Sequence, residues 1–96
     1  MSANNQTLIK EHEGKWYVFT NVMAESWCYY DRATGKFDES RKNELSLKFA
    51  DGIYSSRDEA FEAARELEMK DDLGGTEYGV QFNRLCKDDA EVTLII

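Results

Sequence analysis

An amphipathic helix set among strand-like segments is the feature that most restricts the fold of this 96-residue chain. Ser56 precedes Glu59 by three residues, which is the spacing of a capping box at a helix N-terminus. The apolar residues that follow share one side of a 3.6-residue period: Ala60, Ala63, Ala64 and Leu67. We therefore predict one helix from about residue 57 to about residue 70, with this apolar side against a sheet.

Short segments with strand character lie on both sides of the predicted helix. Residues 7–12 and 15–20 form a predicted hairpin around the turn signal Glu13-Gly14. Further strands are expected at Trp27–Tyr30, Lys36–Phe37, Leu45–Phe49, Glu77–Phe82 and Glu91–Ile96, with residues 38–43 as a loop. We predict an α+β fold, in which an antiparallel sheet of about five to six strands packs against a single helix, in the order β-β-β-(β)-α-β-β.

The second predicted strand has apolar side chains on both faces, so we expect that it is central or that one of its faces serves a partner. Trp16 and Val18 point to one face, and Tyr17 and Phe19 to the other. The length and the absence of proline predict one domain over residues 1–96, with residues 1–6 as a flexible tail. Since no apolar run approaches the ~18–20 residues that span a bilayer, and the N-terminus lacks the regions of a signal peptide, we expect a cytoplasmic protein.

The charge balance restricts the class of partner. Nineteen acidic residues face twelve basic ones, which gives a formal net charge of −7. Nucleic-acid phosphates and anionic membranes both attract cationic surfaces, so direct binding to either is not expected. The acidic surplus favours a protein partner with a basic surface.

The acids of the helical region form the predicted partner-binding site: Glu62, Glu66, Asp71 and Asp72. Glu62 and Glu66 are a like-charge pair at i,i+4, and the later acids lie near the negative end of the helix dipole, so local stability does not favour them. The hypothesis is a small, acidic, non-enzymatic interaction protein. One form of it is an inhibitor from a phage or mobile element that occupies a basic nucleic-acid-binding groove by phosphate mimicry. The alternative explanation of these acids is an ordinary solvated helix face.

Aromatic residues support a second hypothesis. Trp16, Tyr17, Trp27 and Tyr29 could form a stacking surface on a sheet, as in a nucleic-acid-binding or small-ligand-binding domain. Such a surface needs basic residues beside the rings, and the sequence places Lys15 and Arg32 nearby. The competing explanation is that these rings belong to the core.

The sequence lacks the patterns of the common catalytic and metal sites. His12 is the one histidine and has no nucleophile motif beside it. Cys28 and Cys86 are far apart and do not have zinc-ligand spacing. We therefore expect no enzymatic activity, catalytic residue, metal or cofactor. Both cysteines are expected to be reduced and buried, and a single disulfide between them is the alternative.

Overall fold

A computed structural model describes residues 4–70 and 75–96 of the protein. In chain order the elements are β1 (Asn5–His12), β2 (Lys15–Met23), β3 (Cys28–Asp31), β4 (Lys36–Lys42), β5 (Glu44–Ser46), a 3₁₀ turn (Leu47–Phe49), β6 (Gly52–Tyr54), α1 (Arg57–Lys70), β7 (Val80–Phe82) and β8 (Thr93–Ile95). The predicted α+β class, with one helix in the described part of the chain, is confirmed. No helix in these two ranges has the length and apolar character to cross a membrane.

The prediction of one antiparallel sheet is wrong. The strands form a four-stranded sheet in the order β6-β2-β1-β7 and two small sheets, β3-β4 and β5-β8. Strands β1 and β2 pair antiparallel, as the predicted hairpin requires, and so do β2 and β6. The pairs β1-β7 and β5-β8 are parallel, so the main sheet is mixed.

The helix explains the parallel strand in the main sheet. Strand β6 runs opposite to β2 and therefore in the same direction as β1. Parallel strands in one sheet need a crossover connection, and α1 supplies one between β6 and β7. After this crossover, β7 runs in the same direction as β6 and pairs with the far edge of β1.

Both faces of the main sheet are covered, which confirms that β2 is a central strand. On one face, Ile9 and Val18 pack with Ala60 and Ala64 of α1. On the opposite face, a second core cluster contains Leu8, Phe19, Val22, Leu85 and Val92. Because successive side chains of a strand alternate between faces, β1 and β2 contribute to both clusters.

The helix begins where the sequence predicts. The Ser56 hydroxyl accepts a hydrogen bond from the Glu59 backbone N–H at 3.2 Å, so Ser56 is the N-cap. The Glu59 carboxylate accepts a hydrogen bond from the Ser55 hydroxyl at 3.2 Å. Ala60 and Ala64 are fully buried against the sheet, while Leu67 is half-buried at the margin of the same cluster. The sequence Leu73-Gly74-Gly75 predicts the end of the helix, with one of the two glycines as a left-handed cap. Leu73 and Gly74 lie outside the described residues, and Gly75 has a positive φ of 89°.

Several strand boundaries differ from the prediction because asparagine and glycine residues adopt positive φ. Gly79 and Asn83, at φ 71° and 66°, flank β7 and limit it to three residues. Residues 38–42, predicted as part of a loop, continue β4 and pair with β3, and Asn43 at φ 55° separates β4 from β5. The strand predicted at residues 45–49 ends at Ser46, which caps the 3₁₀ turn.

The predicted flexible tail also needs correction at its last two residues. Strand β1 begins at Asn5, and Gln6 is fully buried. The Gln6 amide donates to the Arg84 carbonyl and accepts from the Cys86 backbone N–H, both at 2.9 Å. Residues 1–3 lie outside the described part of the chain.

Replacing the N-cap tests this account of the helix. We expect Ser56→Ala to lower the free energy of unfolding by about 1 kcal/mol, because the Glu59 N–H loses its acceptor. Chemical denaturation followed by circular dichroism measures the change. Ser55→Ala is the matched control and should have a smaller effect, since it leaves the N-cap bond intact. Equal stability of Ser56→Ala and the unmodified protein would show that the cap does not stabilise α1.

Candidate functional site

The outward side of α1 forms an acidic groove beside the edge strand β6. This groove has a volume of about 500 Å³ and is lined by Tyr54, Asp58, Glu59, Glu62, Ala63 and Glu66. All four carboxylate residues are exposed. Asp58 and Glu59 also belong to the first helical turn, where negative charge interacts favourably with the helix dipole. The acidic groove thus contains two of the four predicted partner-binding residues, Glu62 and Glu66.

The arginines of α1 lie on the other side of the helix. The Arg57 guanidinium is 4.0 Å from the centroid of the Phe82 ring, and that of Arg65 is 5.8 Å from the Phe61 centroid. The two phenylalanine rings stack at 5.9 Å on the β7 side of the sheet. These contacts hold both guanidinium groups beside aromatic rings, and that of Arg57 lies away from the acidic groove.

One ion pair joins an arginine of α1 to a carboxylate of the acidic groove. An Arg65 terminal nitrogen lies 3.8 Å from a Glu62 carboxylate oxygen, and both side chains are largely exposed. Such exposed pairs contribute little to stability and are screened by solvent. Within the described ranges, Glu66 has no basic side-chain nitrogen within 4.0 Å of its carboxylate. The acidic groove therefore retains most of its negative charge.

The remaining acids of this region have different positions. Asp71 and Asp72, the other two predicted partner-binding residues, lie outside the described residues. Glu68 turns toward the sheet and is half-buried. Its carboxylate accepts hydrogen bonds from the Thr7 hydroxyl at 3.1 Å, from the Thr76 backbone N–H at 2.5 Å and from the Thr76 hydroxyl. Glu68 therefore fastens α1 to β1 and is not available in the acidic groove.

The four aromatic residues predicted as a stacking surface lie in different environments. Trp16 packs with the helix-side cluster, whereas Tyr17 and Trp27 pack with the cluster on the opposite face. Tyr29 belongs to the β3-β4 hairpin and is exposed, with the Arg41 guanidinium 3.8 Å from its ring centroid. The fold does not bring these four rings onto one surface.

Two of these four residues, Trp27 and Tyr29, line an aromatic groove together with Phe19, Tyr30 and Phe49, which the sequence analysis did not select. Its larger depression, of about 450 Å³, is lined by Phe19, Thr20, Asn21, Val22, Met23, Trp27, Glu44, Leu45 and Phe49. Its smaller depression, of about 350 Å³, is lined by Trp27, Cys28, Tyr29, Tyr30, Arg41, Glu44, Ser46, Phe49 and Ile95. The two depressions share Trp27, Glu44 and Phe49. These residues come from five strands (β2, β3, β4, β5 and β8), the 3₁₀ turn and the segment before β3, so no local pattern in the sequence indicates the whole groove.

Cys28, Cys86 and His12 do not form a common site. Both cysteines are free, but the prediction that both are buried is wrong, because Cys28 is half-buried and Cys86 is exposed. Within the described residues, no group of three or more His, Cys, Asp or Glu side chains could hold a metal ion. His12 lies at the end of β1, where its ring packs edge-on against Tyr17 at 6.1 Å.

Comparisons with known proteins found no matching family model, no matching curated protein and no matching solved structure.

The environment of Cys86 predicts that its thiol is alkylated slowly in the folded protein. Although the residue is exposed overall, partial desolvation of the sulfur raises the pKa of the Cys86 thiol above its usual value. At a given pH the native thiolate fraction is therefore smaller than in the unfolded chain. The variant Cys28→Ser has Cys86 as its one thiol. We expect its alkylation rate to rise at a higher pH in the native protein than in the denatured protein. Iodoacetamide labelling followed by mass spectrometry measures it; native labelling as fast as unfolded labelling would contradict the expectation.

Proposed function

We propose that this protein is a non-enzymatic interaction protein that presents the acidic groove of α1 to a basic surface on a protein partner. The observation that carries the proposal is the separation of charge across the helix. Glu62 and Glu66 line an open groove, while Arg57 and Arg65 are held over the rings of Phe82 and Phe61. Glu66 has no ion pair among the described residues, and Glu62 has only the exposed 3.8 Å pair with Arg65, so both carboxylates can meet cations of another molecule.

The fold itself places no demand on these carboxylates. Glu62 and Glu66 project from the side of α1 that faces away from the buried Ala60 and Ala64. A like-charge pair at i,i+4 costs a few tenths of a kcal/mol, by analogy with the gain from opposite charges at that spacing. Binding a basic partner would offset this cost. The net charge of −7 would also accelerate the approach of such a partner.

The partner surface that best fits these features is a cationic groove made to hold phosphates. Exposed carboxylates in a row can take the place of phosphate oxygens, since arginine and lysine bind both groups through charge-assisted hydrogen bonds. In this form of the proposal the protein is an inhibitor that competes with nucleic acid for the groove of its target.

The alternative function, a nucleic-acid-binding or small-ligand-binding domain built on Trp16, Tyr17, Trp27 and Tyr29, has less support. Trp16 and Tyr17 pack into clusters on opposite faces of the main sheet. Half-buried rings on opposite faces of a sheet cannot stack on the bases of one strand.

Charge reversal at the centre of the acidic groove tests the proposal. Affinity capture from a host lysate with the unmodified protein first identifies the partner. We then expect Glu62→Lys/Glu66→Lys to weaken binding of that partner at least about tenfold, because interfacial repulsion replaces attraction. Glu13→Lys/Glu39→Lys is the matched control, with the same change in net charge at exposed positions outside the groove. Surface plasmon resonance measures both dissociation constants, and circular dichroism checks the folds.

Salt dependence separates this mechanism from apolar docking. Steering between exposed charges is screened beyond ~8–10 Å near physiological ionic strength, so the association rate should fall as salt is added. Equal weakening by the groove variant and the control would show that net charge matters but the acidic groove does not. Full binding by the groove variant at every salt concentration would overturn the proposal.

A further inference from the structure

Strand β6 forms an open edge of the main sheet beside the acidic groove. In the described part of the chain, β6 pairs with β2 on one side and is the outermost strand on the other. The outward N–H and C=O groups of an edge strand can pair with an extended segment of another molecule. Tyr54 is the last residue of β6 and also lines the acidic groove, so the edge and the groove form one continuous surface.

The acidic groove has the length of a short extended segment. The helix contacts β6 and runs back along the sheet toward β7. Its carboxylates extend from Asp58 to Glu66, which are eight residues apart in the sequence. Eight residues of a helix cover about 12 Å. An extended chain points every second side chain to the same face, and such side chains are about 6.6 Å apart. Two alternate side chains of an added strand would therefore both face these carboxylates.

The Tyr54 ring has a definite place in this surface because Gly52 leaves room for it. Residues two apart in a strand share a face, and the ring lies against Gly52. A methyl group on Gly52 would be 2.7 Å from the Cε2 carbon of the ring. An aromatic ring beside carboxylates suits lysine or arginine, because the apolar stem packs on the ring while the charge reaches the acids.

Ile53 indicates which type of residue would separate the basic ones. It lies between Gly52 and Tyr54 and therefore points to the opposite face of the sheet, where it is 55% exposed. An apolar side chain on a strand is stabilised by an apolar or β-branched neighbour on the adjacent strand. A segment added to β6 would supply that neighbour from the residue between two basic ones.

We propose that β6 binds an extended segment of the partner as an additional strand. Lys or Arg at alternate positions of the segment lie in the acidic groove, and an apolar residue between them lies beside Ile53. This inference rests on the proposed function and adds how the partner docks. The other outer strand of the main sheet, β7, is disfavoured because the Arg57 guanidinium lies over its Phe82 ring.

Charge also selects the occupant of this edge. The charged residues that line the groove beside β6 are all acidic. A second copy paired edge to edge would bring its own carboxylates to the groove, and a nucleic acid would bring its phosphates. A basic segment meets attraction at the same place, and its backbone pairs with β6. The edge is only three residues long, so the ionic contacts must supply part of the affinity.

Selection from a random peptide library displayed on phage, with the immobilised full chain as the target, tests the expected pattern. We expect enrichment of peptides with Lys or Arg at positions i and i+2 and an apolar or β-branched residue between them. Synthetic peptides of the enriched sequences, labelled with fluorescein, give dissociation constants by fluorescence anisotropy. A control peptide of the same composition, with its basic residues adjacent, should bind at least about fivefold more weakly. Equal binding of the two peptides, or enrichment without basic residues, overturns the proposal.

Nuclear magnetic resonance of the isotope-labelled full chain locates the selected peptide. Strand addition predicts nuclear Overhauser effects between the backbone of β6 and the backbone of the peptide. It also predicts slower exchange of β6 amides in the complex. Contacts to the side chains of α1 without any contact to the β6 backbone would show that the groove holds the cations without strand addition. That outcome overturns this inference and leaves the proposed function intact.

Variants separate the edge from the groove. Ile53→Ser and Gly52→Ala should each weaken the selected peptide several-fold, because the first removes the apolar neighbour and the second displaces the Tyr54 ring. Phe37→Ser is the control for Ile53→Ser, since Phe37 is an exposed apolar residue on β4, and it should change binding by less than about twofold. Circular dichroism checks that each variant is folded.

The charge variants keep this inference distinguishable from the proposed function. Glu62→Lys/Glu66→Lys should weaken the peptide at least about tenfold. If this variant loses the captured partner but binds the peptide unchanged, the inference is wrong and the proposed function stands. If it binds both unchanged, both proposals are wrong. If light scattering shows a dimer that Ile53→Ser converts to a monomer, a second copy of the chain covers the edge and the inference is overturned.

Discussion

Strand β1 is the element on which the rest of the structure depends, because its segment Gln6–Ile9 is buried on both faces and paired on both edges. Leu8 belongs to the core cluster on one face of the main sheet, and Ile9 belongs to the cluster on the other face. The two polar side chains of the segment bind distant parts of the chain: Gln6 holds residues 84–86, and Thr7 donates to Glu68 of α1. Buried polar groups cost free energy unless they are paired, so these bonds fix the position of both the helix and the C-terminal segment.

This central strand also explains why the protein has two different outer surfaces. The helix covers one face of the main sheet with small residues and turns the carboxylates of Asp58, Glu59, Glu62 and Glu66 outward. The opposite face is covered by irregular segments around Leu85 and Val92 and by the region of Trp27 and Leu45, which leaves an apolar opening at its margin. Charge dominates the first surface and apolar contact the second. A protein built in this way can offer each surface to a different chemical class of partner.

Local patterns predicted the helix and the β1-β2 hairpin, because the Ser56 cap, the alanine stripe and the Glu13-Gly14 turn act within a few residues. The sequence did not indicate that Asn5 and Gln6 belong to β1, because Gln6 is polar and its hydrogen-bond partners lie about eighty residues away. The parallel pairing of β7 depends on the crossover through α1, which strand patterns do not reveal. Glu62 and Glu66 could be placed from the helix period, whereas the aromatic groove joins Met23, Trp27 and Phe49 through tertiary contacts alone.

Native-state hydrogen exchange, measured by NMR as a function of denaturant, tests the central role of β1 most directly. The account predicts that the amides of Leu8, Ile9, Val18 and Asn83 exchange only through global unfolding, with one common free energy; the Asn83 N–H donates to the Ile9 carbonyl at 2.9 Å. The amide of Cys86, which donates to the Gln6 side chain, should belong to the same group. Exchange of Asn83 and Cys86 through a separate opening of much lower free energy, while Ile9 and Val18 stay protected, would contradict it.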